Sequence, residues 1–436
     1  MRIAYLTPTF PPYPGGIGIN AYYNAREMMK HGYEIEVFTP CYKSLFDKDN
    51  QIKLKRQEIL VNSNKSSSIP TDFDNSGLKV YFLRPLISYG KAAFLPQLLW
   101  RLHKFDIVHC YYPFFGGAEI AVLARKIWRF KLIIHHEMDV VGEGWLKKFF
   151  LWHTRYILPW ILKNSDCLFV LSEDYFKNSD IGRLYEKDSN RLPPLKIVPN
   201  GVDTDFFRPR SMVLLSQPVS VNETVRPPIG KTEKQPQDKE ENCLSNNDRP
   251  IILFAGGLDK AHYFKGKPEL LQAMAILKKD NFVAVLKIAG EGELKQKYQS
   301  LTRELGIDDR VEFVGLLPHN QLPEFYNQGS LFVMPSVGRT ESFSIATAEA
   351  QACGLPAIVS DLPGVRVTIQ NGVTGLLVKP GDSADLAEKI KLILSNQSLR
   401  TEMGKAGRAR MEKYFSWQTI GDKLENIYQE LIKAKK

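Results

Sequence analysis

Glu341-Ser-Phe-Ser-Ile-Ala-Thr-Ala-Glu349 is the stretch on which the reading of this chain turns. It belongs to a longer run, Val337 to Gly381, that follows Leu331 to Met334, an apolar segment with the length and composition of a buried strand. Pro335-Ser-Val-Gly338 turns the chain out of that strand. A helix is expected from Ser344, a favourable N-cap residue, through Ala346, Ala348, Ala350 and Ala352, with a stop at Gly354 and Pro356. Small side chains along it allow close packing on a sheet. Its first turn carries no lysine or arginine, so the free N–H groups and the positive end of the dipole stay open to an anion. Glu341 lies ahead of those N–H groups, and Glu349 lies about five residues inside the helix, roughly 7 Å along its axis. Two carboxylates thus bracket an anion site, each able to accept hydrogen bonds from hydroxyl groups. A solvated loop glutamate beside an ordinary helix glutamate would be spelled the same way, so the pair alone decides nothing.

Outward from this stretch, strands and helices alternate. Arg2 to Thr7 is an apolar strand ending in Pro8-Thr-Phe-Pro-Pro-Tyr-Pro-Gly15-Gly16-Ile-Gly18; a helix, Ile19 to His31, Gly32 and a second strand, Glu34 to Thr39, complete a βαβ unit. These glycines permit close backbone approach to a ligand, a plain turn explains them as well, and they do not spell Gly-x-Gly-x-x-Gly. Further strands are expected at Lys79 to Leu83, Asp106 to His109, Lys131 to His135, Cys167 to Leu171 and Lys196 to Val198. A second series runs through Ile251 to Ala255, Val283 to Ala289, Val311 to Val314, Leu331 to Met334, Ala357 to Ser360 and Gly375 to Val378. The alternation predicts an α/β chain with two parallel sheets covered on both faces. Residues 1–209 form the first expected domain and 250–417 the second. Between them, 210–249 turns to Gln, Pro, Lys and Glu without an apolar period and reads as a linker or surface excursion. Phe415-Ser-Trp417 breaks the closing helices and frees the last, about 418–436, to change direction.

At 436 residues the chain suits two domains better than one core. A net charge of +10 with lysines scattered among glutamates fits a basic enzyme, an anionic substrate or an anionic membrane face. No arginine run with interleaved aromatics points to nucleic acid. The cysteines, Cys41, Cys110, Cys167, Cys243 and Cys353, are far apart and odd in number, which argues against a disulfide framework or zinc site and fits a reducing compartment. The first residues enter a strand without a signal-peptide apolar segment, so a cytoplasmic location is expected. Two stretches, Lys91 to Lys104 and Trp145 to Lys163, mix Trp, Phe and Leu with Lys, Arg and His at helical spacing. They read either as core-facing helices with basic outer faces or as interfacial helices touching anionic lipid, peripheral on the cytoplasmic membrane face.

Glu341-x7-Glu349 is preceded by Lys265-Gly266 and Gly290-Glu-Gly292, and followed by Gly354-Leu-Pro356, Asp361-Leu-Pro-Gly364 and Asn371-Gly-Val-Thr-Gly375. Together with the early Pro-Pro-Tyr-Pro-Gly-Gly, His136-Glu-Met-Asp139 and Pro199-Asn-Gly-Val, this order resembles retaining glycosyltransferase family 4, of the GT-B fold. The resemblance spans nearly the whole chain apart from roughly Tyr42 to Ser76 and Ser211 to Asp248. It implies two Rossmann-like domains facing each other across a cleft, a nucleotide-sugar donor held by the C-terminal one, an acceptor presented by the N-terminal one, and a last helix that packs back on the first domain. It further implies that Glu349 binds the ribose hydroxyls and Glu341 those of the donor sugar. Lys265 and the N–H groups of Ser342, Phe343, Ser344 and Ile345 would hold the diphosphate, Gly15 and Gly16 would face it, and His136 would lie near the transferred sugar. The implied catalytic set is Glu341, Lys265 and His136, with no cofactor and no metal.

One position departs from that pattern. Many family members carry an arginine after the glycine of the strand turn, where this chain has Gly257; Lys260 or His262 is the expected substitute. Prepositioned donors aimed at the charge growing on a departing diphosphate are typically the largest catalytic term, and a lysine with a helix end can supply them. Asp203-Thr-Asp205 and Asp47-Lys-Asp49 have the Asp-x-Asp spelling of metal-dependent transferases but fall in an inter-domain turn and a polar loop, and are read as decoys. The acceptor is expected to be a hydroxyl, lipid-linked or on a polysaccharide. Alternatives on the same fold are a nucleotide-sugar epimerase, a sugar phosphorylase, or a nucleotide-sugar-binding protein without catalysis.

Overall fold

The computed structural model describes residues 1–11, 15–42, 77–140, 142, 144–210, 249–338 and 340–434. Among the described residues nine strands come from the first half: β1 (Arg2–Leu6), β2 (Glu34–Pro40), β3 (Lys79–Leu83), β4 (Ile87–Tyr89), β5 (Ala92–Phe94), β6 (Ile107–Tyr112), β7 (Lys131–His136), β8 (Cys167–Val170) and β9 (Leu195–Ile197). Six come from the second: β10 (Ile251–Ala255), β11 (Val285–Ala289), β12 (Val311–Gly315), β13 (Leu331–Met334), β14 (Ala357–Ser360) and β15 (Gly375–Val378). Seven of the first set form one sheet in the order β3-β2-β1-β6-β7-β8-β9, and the second set forms another in the order β12-β11-β10-β13-β14-β15. Every pairing within the two sheets is parallel. The continuous apolar runs explain this: β6, β8, β13 and β14 are buried at every residue, as strands covered by helices on both faces must be. The fold is two Rossmann-like α/β domains: the alternation of elements predicted the parallel sheets, and the family resemblance implied their Rossmann-like form.

In each sheet the strand order reverses beside the first strand: β1 pairs with both β2 and β6, and β10 with both β11 and β13. Ligands of open parallel sheets bind at the carboxyl ends of strands at such a reversal. At the carboxyl ends of β1, β10 and β13, and of β7 one strand further out, lie Gly15-Gly16, Gly256-Gly257, the chain that reaches Ser344, and His136-Glu137.

The last helix, Trp417–Lys433, starts at the final residue of the predicted break, and the preceding helix ends at Tyr414. Its buried residues Trp417, Ile420, Leu424, Ile427 and Tyr428 recur at helical spacing and join the core of the first sheet with Ile3, Tyr5 and Met28. Trp417 stacks on Tyr23 with ring centroids 4.9 Å apart, and the Tyr428 and Tyr5 hydroxyls lie 3.0 Å apart. The chain therefore returns to its first domain after building its second.

The sequence reading of Lys91 to Lys104 as one amphipathic helix is corrected. Ala92–Phe94 pairs antiparallel with Ile87–Tyr89 as a hairpin about Gly90, and only Leu98–Lys104 is helical, as a four-residue turn running into a 3-10 segment. Pro96 separates the two, because proline disfavours helix at the residue before it. Trp145 to Lys163 is helical, as Gly144–Trp152 and Leu158–Lys163 joined by a π-turn at His153–Ile157.

Candidate active site

The helix Ile345–Ala352 begins where the sequence placed it, with Ser344 as N-cap residue. Ser344 does not cap with its side chain; its Oγ instead accepts from Thr347 Oγ1 at 2.8 Å. The first-turn amides are thus left without a side-chain cap, and the turn has no acidic residue. Across the cleft the helix Gly16–Lys30 starts the same way, from Gly15, again with no side-chain cap and no acid in its first turn. A Cβ on Gly16 would lie 3.4 Å from Ile345 Cδ1, so the two helix starts meet. Two positive dipole ends facing one gap repel unless an anion lies between them. Glycine is also needed for a close approach within the first domain: a Cβ on Gly18 would stand 2.8 Å from the Thr9 carbonyl oxygen.

Glu341 and Lys265 sit at this junction. Lys265 Nζ donates to Glu341 Oε1 at 2.5 Å, and Ser336 Oγ donates to the other carboxylate oxygen. Lys265 reaches this point because two glycines make room. Its Cδ lies 2.9 Å from where a Gly256 Cβ would be, and Gly266, at φ 68°, would drive a Cβ to 1.8 Å from the Pro335 carbonyl oxygen. Lys265-Gly266 is thereby pressed against the chain leaving β13, which carries Ser336 and Glu341.

Glu349 lies in the second turn of its helix and is buried. Tyr326 Oη donates to its Oε2 at 2.7 Å, and burial raises its carboxyl to about 7 while that hydrogen bond acts in the opposite sense. The sequence reading did not identify Tyr326, which belongs to a separate helix, Leu322–Asn327. Tyr23, on the helix across the cleft, is close enough to feel the Glu349 charge.

From the first domain, His136 closes β7 almost fully buried, with Nε2 at 3.3 Å from Asp139 Oδ1 and Nδ1 without a partner. Its ring stacks between Tyr112 and Tyr175. Next to it Glu137 is buried and accepts from Asn20 Nδ2 at 2.5 Å; burial raises its carboxyl to about 8. A bridge joins the two domains beside Ser342: Asp174 accepts from Arg366 Nε at 3.0 Å, from Arg366 Nη2 at 2.5 Å and from the Gly364 amide at 3.1 Å. These partners lie almost two hundred positions apart, and no local pattern announces them.

The two named substitutes for the absent arginine are placed as follows. Lys260 is 81% exposed, its ammonium 3.8 Å from Glu293, and His262 Nδ1 is 2.9 Å from both oxygens of Asp259. Of the Asp-x-Asp spellings, Asp203 caps its own turn by accepting from the amides of Asp205 and Phe206; Asp47-Lys-Asp49 lies outside the described residues, as does Cys243. Among the described residues no three His, Cys, Asp or Glu side chains gather to hold a metal ion.

Comparison with known proteins gives the family and the fold. Residues 14–206 match Glycosyltransferase Family 4 and residues 236–410 match Glycosyl transferases group 1. An uncharacterised glycosyltransferase of Methanocaldococcus jannaschii is 24% identical over 98% of each chain. A D-inositol 3-phosphate glycosyltransferase of Corynebacterium aurimucosum is 22% identical over 96% of this chain and 91% of its own. Among solved structures, sucrose-phosphate synthase from Thermosynechococcus elongatus superposes with a TM-score of 0.72 at 21% identity, covering 99% of both chains. HepE of Anabaena, solved with UDP, gives 0.69 at 15% identity, covering 99% of this chain and 100% of its own. With two facing Rossmann-like domains and both halves matched, the chain belongs to glycosyltransferase family 4 and is a glycosyltransferase of the GT-B fold.

Proposed function

We propose that the protein transfers a hexose from a nucleoside-diphosphate sugar to a hydroxyl of a membrane-associated acceptor, with retention of configuration and without a metal ion. The observation that carries the donor half is the meeting of two uncapped helix starts beside the Lys265–Glu341 pair. The diphosphate fills the gap between the dipole ends, with the amides of Ser342 to Ile345 and the Lys265 ammonium as its donors and Gly15 and Gly16 against its other side. Glu341, released from Lys265 by the incoming phosphate, accepts from hydroxyls of the sugar, and Glu349 accepts from the ribose diol. The unpartnered Nδ1 of His136 is available to the transferred sugar. That HepE has been solved with UDP and with UDP-glucose supports a donor of this class.

The acceptor hydroxyl attacks the anomeric carbon on the face that the diphosphate leaves. The bond between carbon and phosphate oxygen breaks with its electron pair going to the phosphate, and the hydroxyl proton passes to that same diphosphate. No side chain needs to act as nucleophile. The helix starts and Lys265 act where charge grows, so they stabilise the transition state more than the bound donor.

The acceptor half rests on the surface of the first domain. The helix Gly144–Trp152 buries none of its residues, and Trp145, Leu151, Trp152 and, one turn on, Tyr156 are each more than half exposed. Tyr89 of the β4–β5 hairpin packs against Trp145 with centroids 5.6 Å apart, joining exposed Leu86 and Ile87 to the same patch. Lys147, Lys148 and Arg155 stand among these side chains. Apolar residues beside basic ones on an exposed helix suit the interface of an anionic membrane; no helix among the described residues is long and apolar enough to cross one. A thermal-shift screen of nucleoside diphosphates and their sugars tests the donor half, because a ligand that binds only the folded chain must raise its melting temperature. A screen in which none does so overturns it.

A further inference from the structure

Gly257 does more than lack a side chain. A Cβ there would lie 2.7 Å from His262 Nδ1 and 2.9 Å from Asp259 Oδ2, so the exit that an arginine would use is already filled. Lys267, which opens the helix Lys267–Lys279, is instead buried at 1% exposure. Its ammonium donates to the Gly257 carbonyl at 2.9 Å and to the His262 carbonyl at 2.5 Å, and stands 5.9 and 5.7 Å from the rings of Phe254 and Tyr298. Lysine is almost never buried this far without a carboxylate partner, and a methionine of similar length would fill the space without the cost of desolvating a charge. What the ammonium does here is brace, from beneath, both parts of the loop that carries Lys265.

We propose that Lys267 is a positioning residue of the transfer reaction: its buried ammonium supplies the positive charge that no side chain at Gly257 provides, and it holds the Gly257–Lys265 loop so that Lys265 meets the diphosphate. This rests on the donor-site reading above. The charged groups around Lys267 are Lys265, Asp259, Glu341 and Glu269, with the His262 ring on the loop it braces and the Tyr298 ring against it. Burial pulls the ammonium down to about 8; Lys265 acts in the same sense, and Asp259, Glu341 and Glu269 oppose it. A diphosphate arriving beside Lys265 favours the charged form, so binding near pH 8 must be accompanied by proton uptake.

Calorimetric titration of UDP into the full chain, in buffers of different protonation enthalpy, reads this directly. The wild type is expected to take up about half a proton per UDP at pH 8. Lys267→Gln keeps an N–H donor for the carbonyls but not the charge. It should bind UDP about tenfold more weakly at pH 7 and show no lysine-linked proton uptake at pH 8. If that variant does not give a cooperative melt, Lys267→Arg keeps a charge that does not titrate in this range; wild-type uptake in it overturns the proposal. So does wild-type affinity together with wild-type uptake in Lys267→Gln. UDP binding lost in Lys265→Ala but unchanged in Lys267→Gln overturns the role of Lys267 alone, whereas no UDP binding to the wild type overturns the donor site with it.

Discussion

Lys265 Nζ and Glu341 Oε1 meet at 2.5 Å, both side chains largely out of water, immediately ahead of the helix that starts at Ile345. The pair keeps each group oriented before a donor arrives and neutral as a unit while the site is empty. Removing one partner strands the other. Lys265→Ala leaves a buried Glu341 carboxylate with Ser336 and should cost about 3 kcal/mol in chemical denaturation, besides most of the affinity for a nucleoside diphosphate. Glu341→Ala frees the ammonium, so diphosphate affinity should hold or rise while turnover falls by about 100-fold. Calorimetry and initial rates on the two variants separate these outcomes.

The Glu349 carboxyl, raised by burial to about 7 from its ordinary 4.5, gives two pH effects of opposite sense. The folded chain holds this proton more tightly than the unfolded one, so stability is lost as pH rises from about 4.5 through 7, by about 3 kcal/mol in all. Glu349→Gln should flatten that part of the profile and melt higher than the wild type at pH 8. Donor binding runs the other way, because only the ionised carboxylate accepts from both ribose hydroxyls. Affinity should climb through about pH 7, and in Glu349→Gln it should be weaker and flat over the same range. Melting curves and titrations between pH 5 and 8 measure both.

Asp174 and Arg366 join the two domains beside the loop that carries Ser342, since the Gly364 amide that also binds Asp174 packs against the Ser342 carbonyl. The pair is partly exposed and Arg366 also contacts Asp361, so its contribution to overall stability should be small, about 1 kcal/mol or less. Its contribution to closure is larger in consequence, since two domains around a cleft separate easily unless something holds them. Asp174→Asn is expected to leave the melting temperature nearly unchanged and to raise the KM for donor about fivefold, with a larger radius of gyration in small-angle scattering. An unchanged KM would show that closure does not depend on this bridge.

The strands were the most legible part of the chain. Ile251–Ala255, Leu331–Met334, Ala357–Ser360 and Gly375–Val378 fall where the apolar runs put them, because a strand buried on both faces leaves little polar interruption to misread. The β4–β5 hairpin was not legible as such. Its few residues, followed by a short helical turn, happen to place Phe94, Leu98 and Arg101 at intervals a helix would also give, and only Gly90 and Pro96 marked the difference. Lys267 was missed because the family motif ends at Lys265-Gly266 and a lysine in a first turn is ordinarily solvated. Tyr326 and Asp174 act on residues brought to them only by the fold, so nothing local in the sequence pointed to their partners.

The exposed patch on the first domain predicts a separation of functions. Trp145→Glu combined with Trp152→Glu changes only side chains more than half exposed, which normally alters stability by about 0.5 kcal/mol or less. Co-sedimentation with anionic vesicles should fall about tenfold at low salt, while UDP affinity stays that of the wild type. Equal sedimentation of variant and wild type would remove the membrane from the account and leave the donor site untouched.

The placement of the diphosphate is tested most directly by a crystal structure of the chain with a bound nucleoside-diphosphate sugar. Phosphate oxygens are expected about 3 Å from Lys265 Nζ and from the amides that open the helix at Ile345, with Gly16 on their other side. Glu341 should contact the sugar, and Glu349 the ribose. Phosphates bound anywhere else in the cleft, with the Lys265–Glu341 pair intact beneath an empty helix start, would contradict it.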